Sequence, residues 1–206
     1  MAKLAQLSPL AAVAVPGRYG NATGTTAPVT LKERSGLKLR VIAALSRQGP
    51  AVEDMVRKIT GLELPRGPKR VVAKGLALIG TAPGQWLAVA EDESSRQMLE
   101  ALAKQLVGHA AITEQSDSKA VIRISGARAR DVMAKGCSLD LHSRVFKSGD
   151  AATTAVALID CQFWQIDDAP SYDLAVPSSF AESFWSWVAA SAAEFGYSVE
   201  PAQDKT

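Results

Sequence analysis

The sequence predicts an α+β protein made of two ferredoxin-like β-α-β-β-α-β units, and three observations carry that reading. Short runs such as Leu37-Lys38-Leu39-Arg40-Val41 alternate apolar and polar residues, the pattern of a half-buried strand. Longer stretches space apolar residues for one helical face, as with Met98, Leu99, Leu102 and Leu106. The order of elements then repeats. Leu39-Arg40-Val41-Ile42 aligns with Ile122-Arg123-Ile124-Ser125, and Leu87-Ala88-Val89 aligns with Leu174-Ala175-Val176, each of the last two just ahead of the longer helix of its half.

The repeat divides the chain into an extended N-terminal arm (1–35), a first α/β unit (36–117), a second (118–200) and a short tail (201–206). The arm is rich in Gly, Thr, Ala and Pro between Gly17 and Pro28 and has little apolar periodicity, so it cannot bury enough surface to fold alone. It is expected to be a frayed tail, or an arm that orders against a partner.

In the first unit, Leu37–Ala43 reads as a strand, Gly49-Pro50 opens a helix through Ile59, and Thr60-Gly61 ends it. Val71–Ile79 and Gln85–Ala90 read as strands joined around Gly80–Gly84. Asp92–Val107 is the second helix, stopped by Gly108, and Ala110–Thr113 closes the unit. In the second unit, Val121–Ser125 is a strand, Gly126–Lys135 a helix, and Thr153–Trp164 a long strand with a bend near Asp160-Cys161. Tyr172–Val176 follows a turn at Asp167–Pro170. The last helix starts at a Ser179/Glu182 capping box and turns Phe180, Phe184, Trp187, Val188, Ser191 and Phe195 inward. Trp185 lies off that stripe, where it can anchor an interface or pack on a neighbouring strand.

Composition narrows the function classes. The 206 residues are 47% hydrophobic and carry 23 basic against 21 acidic side chains, a balance that gives no field for nucleic acid or an anionic membrane. The basic clusters Arg66-Gly67-Pro68-Lys69-Arg70 and Arg123–Arg130 read as solvated faces. Pro9–Val15 is too short an apolar run to span a bilayer, and Lys3 alone is a weak start for a signal peptide, so a cytoplasmic location with no membrane partner is expected. Cys137 and Cys161 are then expected to be reduced thiols, and with His109 and His142 they lack zinc-finger spacing.

The densest polar stretch, Lys135–Asp150, reads as a recognition loop. Asp140 and His142 fall on one side of an extended segment with no nucleophile between them, so no triad is assembled and no catalytic, cofactor-binding or metal-binding residue is assigned. Asp140, His142, Arg144 and Phe146, together with Trp185, are the candidate partner-interface residues. Ser125-Gly126 opening a helix is a weak anion-site signal without further glycines.

The run from Ile124 to Phe146, with its Lys-Gly-Cys-x-Leu-Asp-Leu-His core, resembles the gamma subunit of heterotetrameric sarcosine oxidase. Leu7–Leu10, Gly84–Leu87, Gly149–Thr154, Val176–Trp187 and Glu194–Gly196 are similar to that family as well. The resemblance implies a fold related to the folate-binding glycine-cleavage T-protein. It also implies a non-catalytic subunit that assists partners, the alpha, beta and delta subunits, in which FAD, FMN, NAD, tetrahydrofolate and zinc reside. That complex oxidises the N-methyl group of sarcosine to give glycine, hydrogen peroxide and a one-carbon unit for tetrahydrofolate. The related fold also suggests an alternative, a free-standing folate-dependent one-carbon transfer protein with Asp140 as its acidic residue.

Overall fold

The computed structural model describes residues 8–21 and 26–202. Twelve strands are found among them: β1 (Gly17–Tyr19), β2 (Val29–Glu33), β3 (Lys38–Ala44), β4 (Arg70–Ala73), β5 (Leu76–Ala82), β6 (Gln85–Ala90), β7 (Ala110–Glu114), β8 (Lys119–Ser125), β9 (Ala151–Val156), β10 (Ile159–Asp167), β11 (Ser171–Pro177) and β12 (Tyr197–Glu200). Four helices accompany them: α1 (Gly49–Thr60), α2 (Glu93–Gln105), α3 (Ala129–Ala134) and α4 (Ala181–Ala193).

The strands form a five-stranded sheet, β4-β5-β6-β3-β7, and a seven-stranded sheet, β1-β12-β2-β8-β11-β10-β9. Within the first, β3-α1-β5-β6-α2-β7 is the expected ferredoxin-like unit, and β8-α3-β10-β11-α4-β12 repeats it in the second. Period-two burial explains the layering. One face of the small sheet packs Ile42, Leu76, Leu78 and Trp86 against Val52, Val56, Leu99 and Leu102 of α1 and α2. Its other face, Leu39, Ala77, Ile79, Leu87 and Val89, meets Val121, Ala151, Trp164 and Ala175 of the large sheet. The far face of the large sheet carries Leu31, Ile122, Ile124, Phe163, Tyr172 and Leu174 under α3 and α4. The result is helix, sheet, sheet, helix, with both sheets buried on both faces through their centres.

The structure changes four sequence expectations. The first concerns the arm 1–35, which is not wholly a tail: Val29, Leu31 and Glu33 are buried in β2, which lies between β12 (parallel) and β8 (antiparallel). Leu10, ahead of it, is fully buried in the same core. The segment cannot fold alone but completes a sheet supplied by the second unit. Residues 1–7 and 22–25 of the expected arm, and 203–206 of the expected tail, lie outside the described residues.

Two expected long strands are each a hairpin. Val71–Ile79 breaks into β4 and β5 at Lys74-Gly75, and Thr153–Trp164 breaks into β9 and β10 at Ala157-Leu158. All four turn residues have positive φ, which reverses the chain in two residues. Each unit thereby gains one edge strand beyond the expected six elements.

Helix starts differ as well. The reciprocal capping box belongs to α2, where Ser95 N–H donates to Asp92 Oδ1 at 2.8 Å and Asp92 N–H donates to Ser95 Oγ at 3.0 Å. The expected Ser179/Glu182 box is absent: a 3-10 turn over Ser178–Phe180 leads into α4, which has no side-chain cap. That tighter turn shifts the helix phase, so Ala181, Phe184, Trp185, Val188, Ser191 and Ala192 face inward. Phe180 is exposed, and Trp187 is only half-buried.

Candidate functional site

Three apolar anchors fix the loop between α3 and β9. Cys137 bridges Val156 at the end of β9, and Leu141 and Phe146 are buried in the core beneath α3 and α4. Phe146 is 8% exposed and lies between Phe163 and Tyr172, with ring centroids 5.4 and 6.3 Å away. Between the anchors the backbone folds on His142. Asp140 Oδ1 accepts the His142 N–H at 2.8 Å, and the His142 carbonyl accepts from Val145 and Phe146 at 2.8 and 2.9 Å. His142 Nδ1 accepts the Arg144 N–H at 3.2 Å, which places the proton of the neutral ring on Nε2. The far end is held by Lys147 N–H donating to Asp150 Oδ2 at 3.0 Å and by an Asp150–Lys69 ion pair.

Of the five expected interface residues, Asp140, His142 and Arg144 are exposed on this hydrogen-bonded loop. Phe146 and Trp185 are not at the surface. Phe146 is one of the loop's anchors, and Trp185, 4% exposed, sits on the inward stripe of α4. The sequence flagged Phe146 because its neighbours are polar, but a single aromatic residue in a polar loop serves equally to nail the loop down.

The arrangement offers little nucleophilic chemistry. Burial pushes the Cys137 thiol above its usual range and raises that of Cys161, which is enclosed, further still. His109 Nδ1 lies 2.8 Å from Gln48 Oε1, so this imidazole has a structural partner. Among the described residues no group of three or more His, Cys, Asp or Glu could hold a metal ion. The start of α3, read as a weak anion site, is already occupied: Arg128 N–H donates to the Pro28 carbonyl at 3.1 Å. Gly126, with φ of 106°, permits this approach, since a Cβ there would lie 2.4 Å from that oxygen.

The second polar centre, which sequence reasoning missed, lies between the sheets. Arg123 grips Asp173 with two hydrogen bonds of 2.6 and 2.7 Å. Arg34 reaches Glu91 at 3.0 Å and approaches Asp173 at 3.9 Å. Arg70 enters the same region, and burial lowers its pKa despite the nearby Asp173 and Glu91. Of the two expected solvated clusters, Lys69 and Arg128 are exposed and pair with Asp150 and with Asp131 (2.7 Å), whereas Arg123 is bound to Asp173 and Arg70 is half-buried, its Nε without a hydrogen-bond partner among the described residues. Charged residues alternating along an otherwise apolar strand, as in Ile122-Arg123-Ile124, were the available signal. No helix of the described residues is long and apolar enough to cross a membrane.

The fold agrees with what comparison with known proteins shows. No curated protein sequence matches the chain. A heterotetrameric sarcosine oxidase from Corynebacterium sp. U-96, solved with pyrrole 2-carboxylate, contains a chain that superposes with a TM-score of 0.77 at 25% identity, over 92% of this chain and 96% of that one. The glycine cleavage system aminomethyltransferase T from Bartonella henselae superposes with a TM-score of 0.63 at 13% identity, over 86% of this chain and 48% of that one, a likeness of fold. The model of the sarcosine oxidase gamma subunit family matches residues 46–194, well over half of the sequence, and the chain therefore belongs to that family.

Proposed function

We propose that this chain is the non-catalytic gamma subunit of a heterotetrameric sarcosine oxidase, assembled with alpha, beta and delta subunits. The observation that carries the reading is the end-to-end match, 92% of one chain on 96% of the other, with a single chain of a heterotetrameric enzyme. In this reading FAD, FMN, NAD, tetrahydrofolate and zinc are held by the other subunits. Those subunits oxidise the N-methyl group of sarcosine, yielding glycine, hydrogen peroxide and a one-carbon unit taken up by tetrahydrofolate. The gamma chain supplies surface. Its exposed residues Asp140, His142 and Arg144 stand on a loop fixed at both ends, so docking there orders few new groups and loses little entropy.

The test is affinity purification of the tagged chain from its native host, with mass spectrometry and an absorbance scan of the eluate. The expected result is co-elution with flavin-bearing large subunits and sarcosine-dependent peroxide formation, while the isolated chain is colourless and inactive. A solitary chain that binds tetrahydrofolate, and loses it on Asp140→Ala, overturns the proposal in favour of a free-standing folate protein.

A further inference from the structure

The two units carry equivalent edge hairpins, and their turns differ in one informative way. In the first unit the turn residues are Lys74 (φ 49°) and Gly75 (φ 76°); in the second they are Ala157 (φ 52°) and Leu158 (φ 65°). Turns of this hand favour Gly, Asn and Asp because a Cβ crowds the following carbonyl. Lys-Gly meets that demand and presents a charge to water. Ala-Leu does neither.

Leu158 is 99% exposed, the most exposed of the large hydrophobic side chains among the described residues. Its backbone is disfavoured and its side chain gains nothing from this chain, so two unfavourable terms coincide at one residue. Backbone strain of this kind gathers where a side chain must be aimed at something. The tip is also held firmly. Ala157 N–H donates to the Gly136 carbonyl at 3.0 Å, Val156 bridges Cys137, and Val156 and Ile159 on either side pack into the core under the helices.

The surroundings indicate what Leu158 meets. The recognition loop leaves the edge of β9 at Cys137, so Leu139, 40% exposed, belongs to the same end of the molecule. Asp140 beside it and Asp160 beyond Leu158 are exposed carboxylates. Lys135 on the loop side is engaged with Glu194 at 2.5 Å, and Lys119 lies within electrostatic reach of Asp160. An apolar tip flanked by acidic side chains complements an apolar socket with a basic rim.

We propose that the Ala157–Leu158 turn is a docking knob whose Leu158 side chain enters an apolar, basic-rimmed socket on one of the large subunits. The inference rests on the reading of this chain as a subunit of the oxidase, and it extends the interface from the Asp140–Arg144 loop to the adjoining hairpin.

The test uses the complex co-expressed with the gamma chain as wild type, Leu158→Asp or Leu158→Gly, purified through a tag on a large subunit at matched salt. Gamma content is read by mass spectrometry, and the isolated chains are compared by thermal melting and gel filtration. Wild type is expected in full stoichiometry, with Leu158→Asp reduced at least tenfold and Leu158→Gly reduced as well. The glycine variant should melt no lower than wild type, because the turn favours glycine, so its loss from the complex is not a folding defect. Full retention of Leu158→Asp overturns the knob and leaves the subunit reading intact. Absence of wild-type chain from the eluate overturns the subunit reading and the knob with it. An isolated wild-type chain that dimerises, with a monomeric Leu158→Asp, assigns the socket to a second copy and overturns the large-subunit assignment.

Discussion

Arg123 and Asp173 face each other across β8 and β11 and form a two-point ion pair between the sheets, at 2.6 Å from Nε and 2.7 Å from Nη2. Asp173 is 2% exposed and has the Arg123 and Arg34 guanidinium groups beside it. Asp173→Ala leaves two guanidinium groups without their buried partner and should cost about 3–5 kcal/mol in urea unfolding. Replacing the pair together, Arg123→Met with Asp173→Leu, should recover part of that loss. A single Asp173→Ala that unfolds like wild type would show that water already reaches the cluster.

Phe146 and Trp185 should behave as core residues and the loop's polar side chains should not. Phe146→Ala and Trp185→Ala each remove a buried ring from the layer beneath α3 and α4, with an expected cost of about 3–5 kcal/mol in the isolated chain. Denaturant midpoints at unchanged slope provide the measurement. Small losses, below about 1 kcal/mol, would return these rings to the surface.

Arg144→Glu and His142→Ala are expected to leave the melting temperature of the isolated chain within about 2 °C of wild type, since surface changes of this kind are worth roughly 0.5 kcal/mol or less. The same variants should lower retention in the tagged complex several-fold. His142→Ala also tests geometry. It deletes the Nδ1 acceptor for Arg144 N–H but keeps the carbonyl that holds Val145 and Phe146, so the loop should stay in place.

Much of the layering was legible because Leu37-Lys38-Leu39-Arg40-Val41 alternates at the start of β3, Leu99, Leu102 and Leu106 recur at helical spacing along α2 and its C-cap, and β6 and β11, buried almost throughout, are short apolar runs. Three features were not. The β9–β10 turn lacks Gly, Asn or Asp, so Ala157-Leu158 reads as strand interior. Strand β2 does alternate, as Val29-Thr30-Leu31-Lys32-Glu33, but it is short and follows a Gly/Thr-rich stretch, and its partners lie about 90 or more residues away in the chain. The phase of α4 depends on the 3-10 turn before it, which exchanges the roles of Trp185 and Trp187. At the site, the exposed Asp140-x-His142-x-Arg144 spacing was readable, whereas the Arg34–Glu91 contact joins residues that only the fold brings together.

Removal of residues 1–35 separates a docking arm from a structural one. The truncated chain lacks β2, leaving β8 and β12 without the strand that lies between them, and loses Leu10, Val29 and Leu31 from the core. The product should show no cooperative thermal transition and should bind a hydrophobic dye. A truncated chain that melts cooperatively would mean that β12 closes directly on β8, as β7 does on β3 in the first unit.

Acid should weaken the pairing at the end of the first unit through Glu114. Burial works to raise this carboxyl, but hydrogen bonds from Lys38, Ser116 and Arg40 prevail and hold it at about 2, below its usual value. Lys38 Nζ and Arg40 Nε lie 2.8 and 3.1 Å from Oε2, and Ser116 Oγ lies 2.6 Å from Oε1. Ser116 Oγ in turn accepts the Leu39 N–H at 2.9 Å, which ties the chain leaving β7 back to β3. A carboxylate whose pKa is lower in the folded than in the unfolded chain stabilises fully above the unfolded value of about 4.5 and loses that contribution as pH falls toward 2. Because the side chain is 42% exposed, solvent screening limits the effect to about 1 kcal/mol. Glu114→Gln should therefore be less stable than wild type by about that amount at pH 7, and the gap should close between pH 4.5 and 2 in urea titrations. A gap that stays constant over this range would assign the loss to side-chain packing, and one that widens on acidification would reverse the sign of the linkage.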